Sequence, residues 1–249
     1  TRVKAPDELY TQIPLVKKLL QAFGIPILEK QGFEADDVIG TVANQLKAAA
    51  GTECIIVTGD LDTLQLVGEH TSVYTLKTGL KETFIYNEMR VRERFGLAPA
   101  QLPDFKGLKG DPSDNIPGVP GVGDKTASAL LQKFETLENL YKALEAEKQI
   151  TNSKKQKTVY KKPLTEKLVA LLAEYRDQAF FSKELATINV EVPLDFSPEN
   201  AGKEPYNRDA VIQLFRELGF ISLVERLPDT PISAGAEKNE SATGKRHEF

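Results

Sequence analysis

The sequence predicts an α/β domain with a largely parallel sheet, followed by a mainly helical module. Three observations predict it. Short β-branched runs alternate with amphipathic stretches through roughly the first hundred residues. Beyond them the strand signal fades while helical periodicity continues. From Leu227 onward the chain is Pro, Ser, Gly and charge without periodicity. The expected boundaries are 1–101 for the α/β part, 102–227 for the helical part and 228–249 for a disordered tail or linker.

Taken in order, Leu15 to Phe23 has the spacing of an amphipathic helix ended near Gly24, and Ile25-Pro26-Ile27-Leu28 a short strand. Ala35 to Ala50 is helical, with Val38, Val42 and Leu46 at four-residue spacing and Gly51 as the stop. Cys54 to Thr58 is expected as a buried strand, with Gly59-Asp60 turning out of it and Thr63 to Val67 forming a short helix. Ser72 to Leu76 is a further strand, and Thr83 to Tyr86 alternates as an edge strand does. Asn87 to Phe95 is a helix capped by Asn87 and stopped by Gly96. Helical patterns then recur at Leu102–Gly107, Lys125–Phe134, Leu137–Ala146, Leu164–Tyr175 and Arg208–Leu218. In open α/β sheets ligands sit at the carboxyl ends of the strands, which directs attention to Gln31–Asp37 and Gly59–Asp62.

Composition excludes several chemistries. With 41% hydrophobic and 27% charged residues in 249, the chain can bury a core. No run of eighteen apolar residues exists to span a membrane, and Thr1-Arg2-Val3-Lys4 is no signal peptide. The start lacks Met, so the chain is expected to be a fragment. Cys54 is the single cysteine, which fits a reducing compartment. With His70 and His247 the only histidines, a Cys/His zinc site and Ser–His or Cys–His catalysis are disfavoured. Net charge is −4, yet Lys148, Lys154, Lys155, Lys157, Lys161, Lys162 and Lys167 face only Glu166 as a local acid. Such a stretch is either a phosphate track or a solvated basic loop.

Acids fall in three tight groups: Glu34-Ala35-Asp36-Asp37 at a helix start, Asp60-Leu61-Asp62 at a strand exit, and Asp111-Pro112-Ser113-Asp114 early in the helical part. Hard divalent cations take oxygen ligands, and two-metal phosphodiester cleavage needs several carboxylates converging from separate loops. Each group also has a local reading: Glu34, Asp36 and Asp37 suit the helix dipole, Asp60 closes a turn, and Asp111 caps a helix with Pro112 at its first position.

The run Asn115-Ile116-Pro117-Gly118-Val119-Pro120-Gly121-Val122-Gly123-Asp124-Lys125-Thr126-Ala127 is the sharpest local signal. Its glycines permit close backbone approach to a ligand, and the helix opening after it offers free N–H groups to phosphate. A ligand-free Gly/Pro turn between helices is the alternative.

The stretches Gly32–Asp37, Thr58–Leu66 and Gly107–Ala127 together resemble, in order and spacing, the 5′-nuclease domain of bacterial DNA polymerase I, a family that includes phage and eukaryotic flap endonucleases. The resemblance runs from the start of the chain to about Leu227. It implies a PIN-like core with a mostly parallel sheet, followed by a helix–three-turn–helix DNA-binding subdomain of the helix-hairpin-helix type. It implies Glu34, Asp36, Asp37, Asp60, Asp62, Asp111 and Asp114 as metal-binding acids, with Asp37, Asp60, Asp62 and Asp111 the catalytic subset. Gly118, Val119, Gly121, Val122, Gly123, Lys125 and Thr126 match the segment that grips DNA, with a K⁺ ion at the hairpin. Arg2 matches the last basic residue of a helical arch. The implied activity is 5′-3′ exonuclease and flap-endonuclease hydrolysis with two or more Mg²⁺ or Mn²⁺ ions, leaving a 5′-phosphate. The implied setting is cytoplasmic, on nucleoid DNA, with a polymerase domain as covalent partner. The family pattern opens with a strand bearing an Asp ligand, a further acid and the arch, and the sequence is expected to lack them. The alternative expectation is therefore a non-catalytic, structure-specific DNA-binding fragment.

Overall fold

A computed structural model describes residues 6–49, 51–76, 83–154, 163–198 and 206–228, with the side chains of 147–154 left out. Arg2, residues 155–162 of the basic stretch 148–167 and the tail from 229 fall outside what is described. The chain divides into two compact units, Lys30–Leu194 and Thr1–Glu29 with Asp195–Phe249.

The larger unit contains helix α2 (Ala35–Leu46), strands β1 (Cys54–Val57), β2 (Thr71–Leu76) and β3 (Thr83–Tyr86), and helices α3 (Glu88–Phe95), α4 (Leu102–Lys109), α5 (Asp124–Phe134), α6 (Leu137–Lys154), α7 (Glu166–Glu174) and α8 (Arg176–Ala186). The smaller contains α1 (Asp7–Ala22), α9 (Arg208–Glu217) and α10 (Ile221–Val224).

β2 is the middle strand, with β1 beside it in parallel (Ile56 opposite Val73) and β3 antiparallel (Tyr86 opposite Val73). Ala43 of α2, Ile56, Leu64, Val73, Tyr86 and Val91 of α3 close one core over this sheet. Leu64, Val73 and Val91 are fully buried, each worth about 1.5–3 kcal/mol of transfer free energy. α3 begins and ends where its residues predict. The Asn87 side chain accepts from the Arg90 N–H, and Gly96 takes the left-handed conformation that ends the helix.

A second core gathers Phe105, Leu108, Leu130, Leu131, Leu140 and Leu172 from the helices with Val119 and Val122 from the 118–123 hairpin. α4 joins the two cores: Leu102 belongs to the sheet core, Phe105 and Leu108 to the helical one. Its closest partner is α8, where a Cβ at Gly107 would stand 3.0 Å from the Ala179 carbonyl oxygen. Buried Asp104 of α4 is met by Lys183 of α8 at 2.7 Å and by the Leu137 N–H at 2.9 Å, so its charge is both paired and hydrogen-bonded.

The structure departs from the sequence reading in several places. β1 is not a buried strand: only Ile56 is inside, while Ile55 and Val57 are 57% and 69% exposed. Among the described residues β1 is a sheet edge, and α2 and the 3-10 turn Leu61–Leu66 cover one face alone. The short helix expected at Thr63 is this 3-10 turn. Ile25–Leu28 forms no strand; Gly24 ends α1 with positive φ and the Ile25 N–H returns to Leu20 O, satisfying the helix end instead of a sheet neighbour. α1 begins at Asp7, earlier than its apolar spacing indicated, and carries Pro14 within it. α8 is an unanticipated helix, because its buried face consists of Ala179, Ser182 and Ala186 while Phe181 and Leu185 point outward. Small residues at helical spacing leave no hydrophobic periodicity to detect.

In the smaller unit, Phe23 packs its ring 5.4 Å from Tyr206 and 6.0 Å from Phe215, with Val211 and Leu227 completing the core. The Asn207 side chain caps α9 through the Ala210 N–H.

Candidate functional site

The three acidic stretches meet in the larger unit, and Asp62 is where they meet. Asp62 leaves the end of β1 on the 3-10 turn, whose start is fixed locally: the Asp60 carboxylate accepts from the Asp62 N–H at 3.0 Å, and the Asp60 N–H donates to Thr58 Oγ1. Asp111 follows Gly110 at the end of α4. It is pinned by a two-way backbone bridge to Ile116 (2.8 and 2.9 Å), and its carboxylate accepts from the Ser113 N–H at 3.0 Å. Carboxylate oxygens of Asp62, Asp111 and Asp114, all half-buried, lie within 4.8 Å of one another. Oxygen-only donors at that spacing suit a hard divalent cation.

The Lys106 ammonium of α4 stands among them, paired with Asp62 and 2.7 Å from Asp111 Oδ2. Its effect appears in the charges. Burial pushes the Asp62 carboxyl above the usual aspartate range against the pull of Lys106, with Asp60 and Asp114 adding repulsion. Burial also pushes Asp111 up, but Lys106 and the hydrogen bonds from Ser113 outweigh it and hold that carboxyl below the usual range. Lys106 is itself pulled down by burial, and its two carboxylate partners more than restore it, so it stays charged.

Helix α2 brings the first acidic stretch alongside. Asp36 is raised by burial and then by the negative charges of Asp60, Asp62, Glu34 and Asp37. Repulsion reaching from Asp36 through Asp62 to Asp114 means that acids distant in sequence share one field. Asp37 differs from its neighbours. Its Oδ2 accepts from the Glu34 N–H at 3.1 Å and its Oδ1 from the Asn189 N–H at 2.9 Å, so both oxygens already fasten backbone. Gln65 accepts from the Ile188 N–H and donates to Ala186 O, and Thr41 Oγ1 accepts from the Val192 N–H. A Cβ at Gly40 would stand 2.7 Å from Ile188 Cγ2. The extended segment after α8 is thus clasped onto α2 and the 3-10 turn, the two elements that carry Asp36 and Asp62. Sequence reading missed Lys106 and this clasp; a lysine five residues before Asp111 was the only local signal for the first.

The hairpin 118–123 is held by its backbone. The Gly118 N–H donates to Ser182 Oγ at 3.0 Å, Gln178 donates to Gly118 O at 2.6 Å, and the Val119 N–H donates to Leu108 O at 2.7 Å. Gly118 has φ +60°, and a Cβ there would lie 2.2 Å from the Gly110 nitrogen, so its missing side chain permits packing. Val119 and Val122 put their side chains in the helical core. Gly121 and Gly123 are the open positions: both are exposed, and a Cβ at Gly123 would meet nothing within 4 Å. Gly123 provides no side-chain cap for α5, so the first N–H groups of that helix take none from it, beside exposed Lys125 and half-buried Thr126. Lys109 pairs with Asp124 at 3.1 Å, tying the end of α4 to the start of α5.

Two family models match the chain: the 5′-3′ exonuclease N-terminal resolvase-like domain over residues 1–96 and the 5′-3′ exonuclease C-terminal SAM fold over residues 97–209. DNA polymerase I of Bacillus subtilis is 41% identical over 240 residues, covering 96% of this chain and 25% of its own length. DNA polymerase I of Chloroflexus aurantiacus is 42% identical over 233 residues, covering 91% of this chain and 23% of its own. The chain spans about a quarter of the length of the curated relatives it matches. Among solved structures, T5 5′-exonuclease with bound zinc aligns at TM-score 0.54 and 17% identity, over 88% of this chain and 73% of that one. The catalytic core of Rad2 in complex with DNA substrate aligns at TM-score 0.55 and 18% identity, over 89% and 69%. At such identities the structural likeness speaks for the fold.

Proposed function

Because the chain belongs to the 5′-3′ exonuclease family as a 5′-nuclease domain, we propose that it hydrolyses DNA phosphodiesters near a 5′ end or flap junction with Mg²⁺ or Mn²⁺, leaving a 5′-phosphate. The observation that carries the reading is the meeting of Asp62, Asp111 and Asp114 within 4.8 Å, with Asp36 and Asp60 in the same field.

Asp62, Asp111 and Asp114 are the residues to hold one divalent ion, and Asp36, Asp60 and Glu34 the acids to hold another. Bound ions of this kind supply an acidified water and stabilise charge on the reacting phosphate. The protein's own residues do the rest. The Ser113 N–H and the Ile116 bridge hold Asp111 in place, the Asp60 turn aims Asp62, and Asp37 anchors the start of α2. Duplex DNA is gripped by the open edge of the hairpin at Gly121 and Gly123 and by the first N–H groups of α5, with Lys125 adding a point charge. These are backbone contacts to phosphate and carry no base sequence. A K⁺ ion at the hairpin would use carbonyl oxygens there; Gly118 O and Val119 O each already accept one hydrogen bond and keep a second lone pair. Relatives four times the length and named DNA polymerase I support a covalently joined polymerase as the working partner. In the described residues no helix is long and apolar enough to cross a membrane.

A 5′-labelled flap substrate with Mn²⁺ tests the reading. Product from the parent chain that vanishes in Asp60→Asn and Asp111→Asn, with DNA retention unchanged, supports it. Cleavage unaffected by both substitutions overturns it. Retention without product under every metal condition leaves a DNA-binding module alone.

A further inference from the structure

Lys106 differs from Lys183, another half-buried lysine of the larger unit. Lys183 sits between Asp104 and Glu138, which belong to none of the three acidic stretches, and ties α8 to α4 and α6. Lys106 points its ammonium at Asp62 and Asp111, two of the three carboxylates close enough to share a cation. Its side chain is 17% exposed. One ammonium there meets two carboxylates, and Asp62 also feels the charges of Asp60 and Asp114, so it does not neutralise the group it sits in.

The backbone beneath Lys106 is fixed, because Phe105, Gly107 and Leu108 are buried on either side of it. The four-carbon stem is the movable part, ending in a compact charge that rotates without disturbing α4. An ammonium and a divalent ion cannot both own the same oxygens of Asp62 and Asp111. We propose that Lys106 is a resident counter-ion: it holds these two carboxylates together when no metal is bound and competes with the divalent ion for them. Loading of this group then becomes complete only when a phosphodiester anion draws the ammonium away. The proposal rests on the reading of Asp62, Asp111 and Asp114 as a metal group.

Mn²⁺ binding to the DNA-free chain, followed by electron paramagnetic resonance, separates the two. Lys106→Met is expected to tighten Mn²⁺ binding by about tenfold or more, the scale on which removal of a ligand's neighbour acts, while Lys106→Arg keeps the parent affinity. Lys106→Gln, which retains a neutral donor, gives the same direction should Lys106→Met fold poorly by circular dichroism. Asp111→Asn in the Lys106 background weakens binding if the metal reading holds. Equal affinity in the parent, Lys106→Met and Lys106→Gln chains, with Asp111→Asn still weakening it, overturns the counter-ion role alone. If Asp111→Asn also leaves Mn²⁺ untouched, the metal reading falls and takes the proposal with it.

Discussion

The acidic hub and the glycine hairpin lie in the same unit and are held by opposite means. At the hub, side chains do the positioning: Ser113, Lys106 and the Asp60 turn orient carboxylates that would otherwise repel one another. At the hairpin the backbone is held and the side chains are absent or turned inward, as with Gly118, Val119 and Val122. The segment 110–118 connects them, with Asp111 bridged to Ile116 and Gly118 packed on Gly110. The difference teaches where each region is vulnerable. A charge change breaks the hub without unfolding it, whereas an added methyl breaks the hairpin's fold at one glycine and only its surface at another.

The largest effect should come from the hub. Asp111→Asn is expected to lower cleavage by about a hundredfold or more, the scale of one lost transition-state contact, with an unfolding midpoint close to the parent's. A drop explained wholly by unfolding would erase the contrast with the hairpin. Next comes Gly118→Ala. A left-handed residue costs about 1–2 kcal/mol, and forcing a methyl into packed backbone costs about 1–3 kcal/mol more. Urea denaturation should show a loss of several kcal/mol. Gly123→Ala, five residues on, should stay within about 0.5 kcal/mol of the parent and act on DNA affinity instead, which a salt-dependent binding titration reads directly. Equal destabilisation by the two alanines would break the distinction drawn between packed and open glycines.

The clasp gives a smaller signal. Gln65→Ala removes hydrogen bonds to Ile188 and Ala186 and should lower stability by about 1–2 kcal/mol, read by thermal melting. Smaller still is the pH dependence of the metal-free chain. Asp36 and Asp62 have folded values above the ordinary one, so the native state holds the extra protons. Their contribution is fully present below the ordinary aspartate value and is lost as pH rises through the raised folded values. Asp111 has the opposite sign: its contribution is present above the ordinary value and lost as pH falls through its lowered one. Melting temperature in a chelator should therefore climb as pH falls from neutral toward the carboxylate range, then turn over. Millimolar Mg²⁺ should flatten the upper limb. A chelated protein that gains stability steadily up to neutral pH would contradict the shared field at the hub.

Much of this arrangement was legible in the sequence, and the losses have physical causes. Caps and stops are local, so Asn87 and Gly96 bound α3 where they predict. Acid clusters and the glycine run are local too, and both stood out. Convergence of the clusters on Asp62 is a tertiary fact that spacing alone suggested only as a requirement of the chemistry. Lys106 was hidden because a lysine on a helix normally marks a solvated face. Asp37 looked like its acidic neighbours, yet one of its oxygens accepts from the Asn189 N–H, 152 residues away. α8 escaped because Ala179, Ser182 and Ala186 bury a face without apolar bulk. The exposed side of β1 could not be read from Ile55 and Val57, which have the composition of an interior strand.

The central claim is that carboxylates from distant stretches form one divalent-ion centre at Asp62. Anomalous diffraction from a crystal of the chain with bound flap DNA, soaked in Mn²⁺, is the sharpest test. A peak bordered by carboxylate oxygens of Asp62, Asp111 and Asp114, lost in Asp62→Asn, is expected. Full-occupancy Mn²⁺ peaks found only elsewhere on the DNA-bound molecule would refute it.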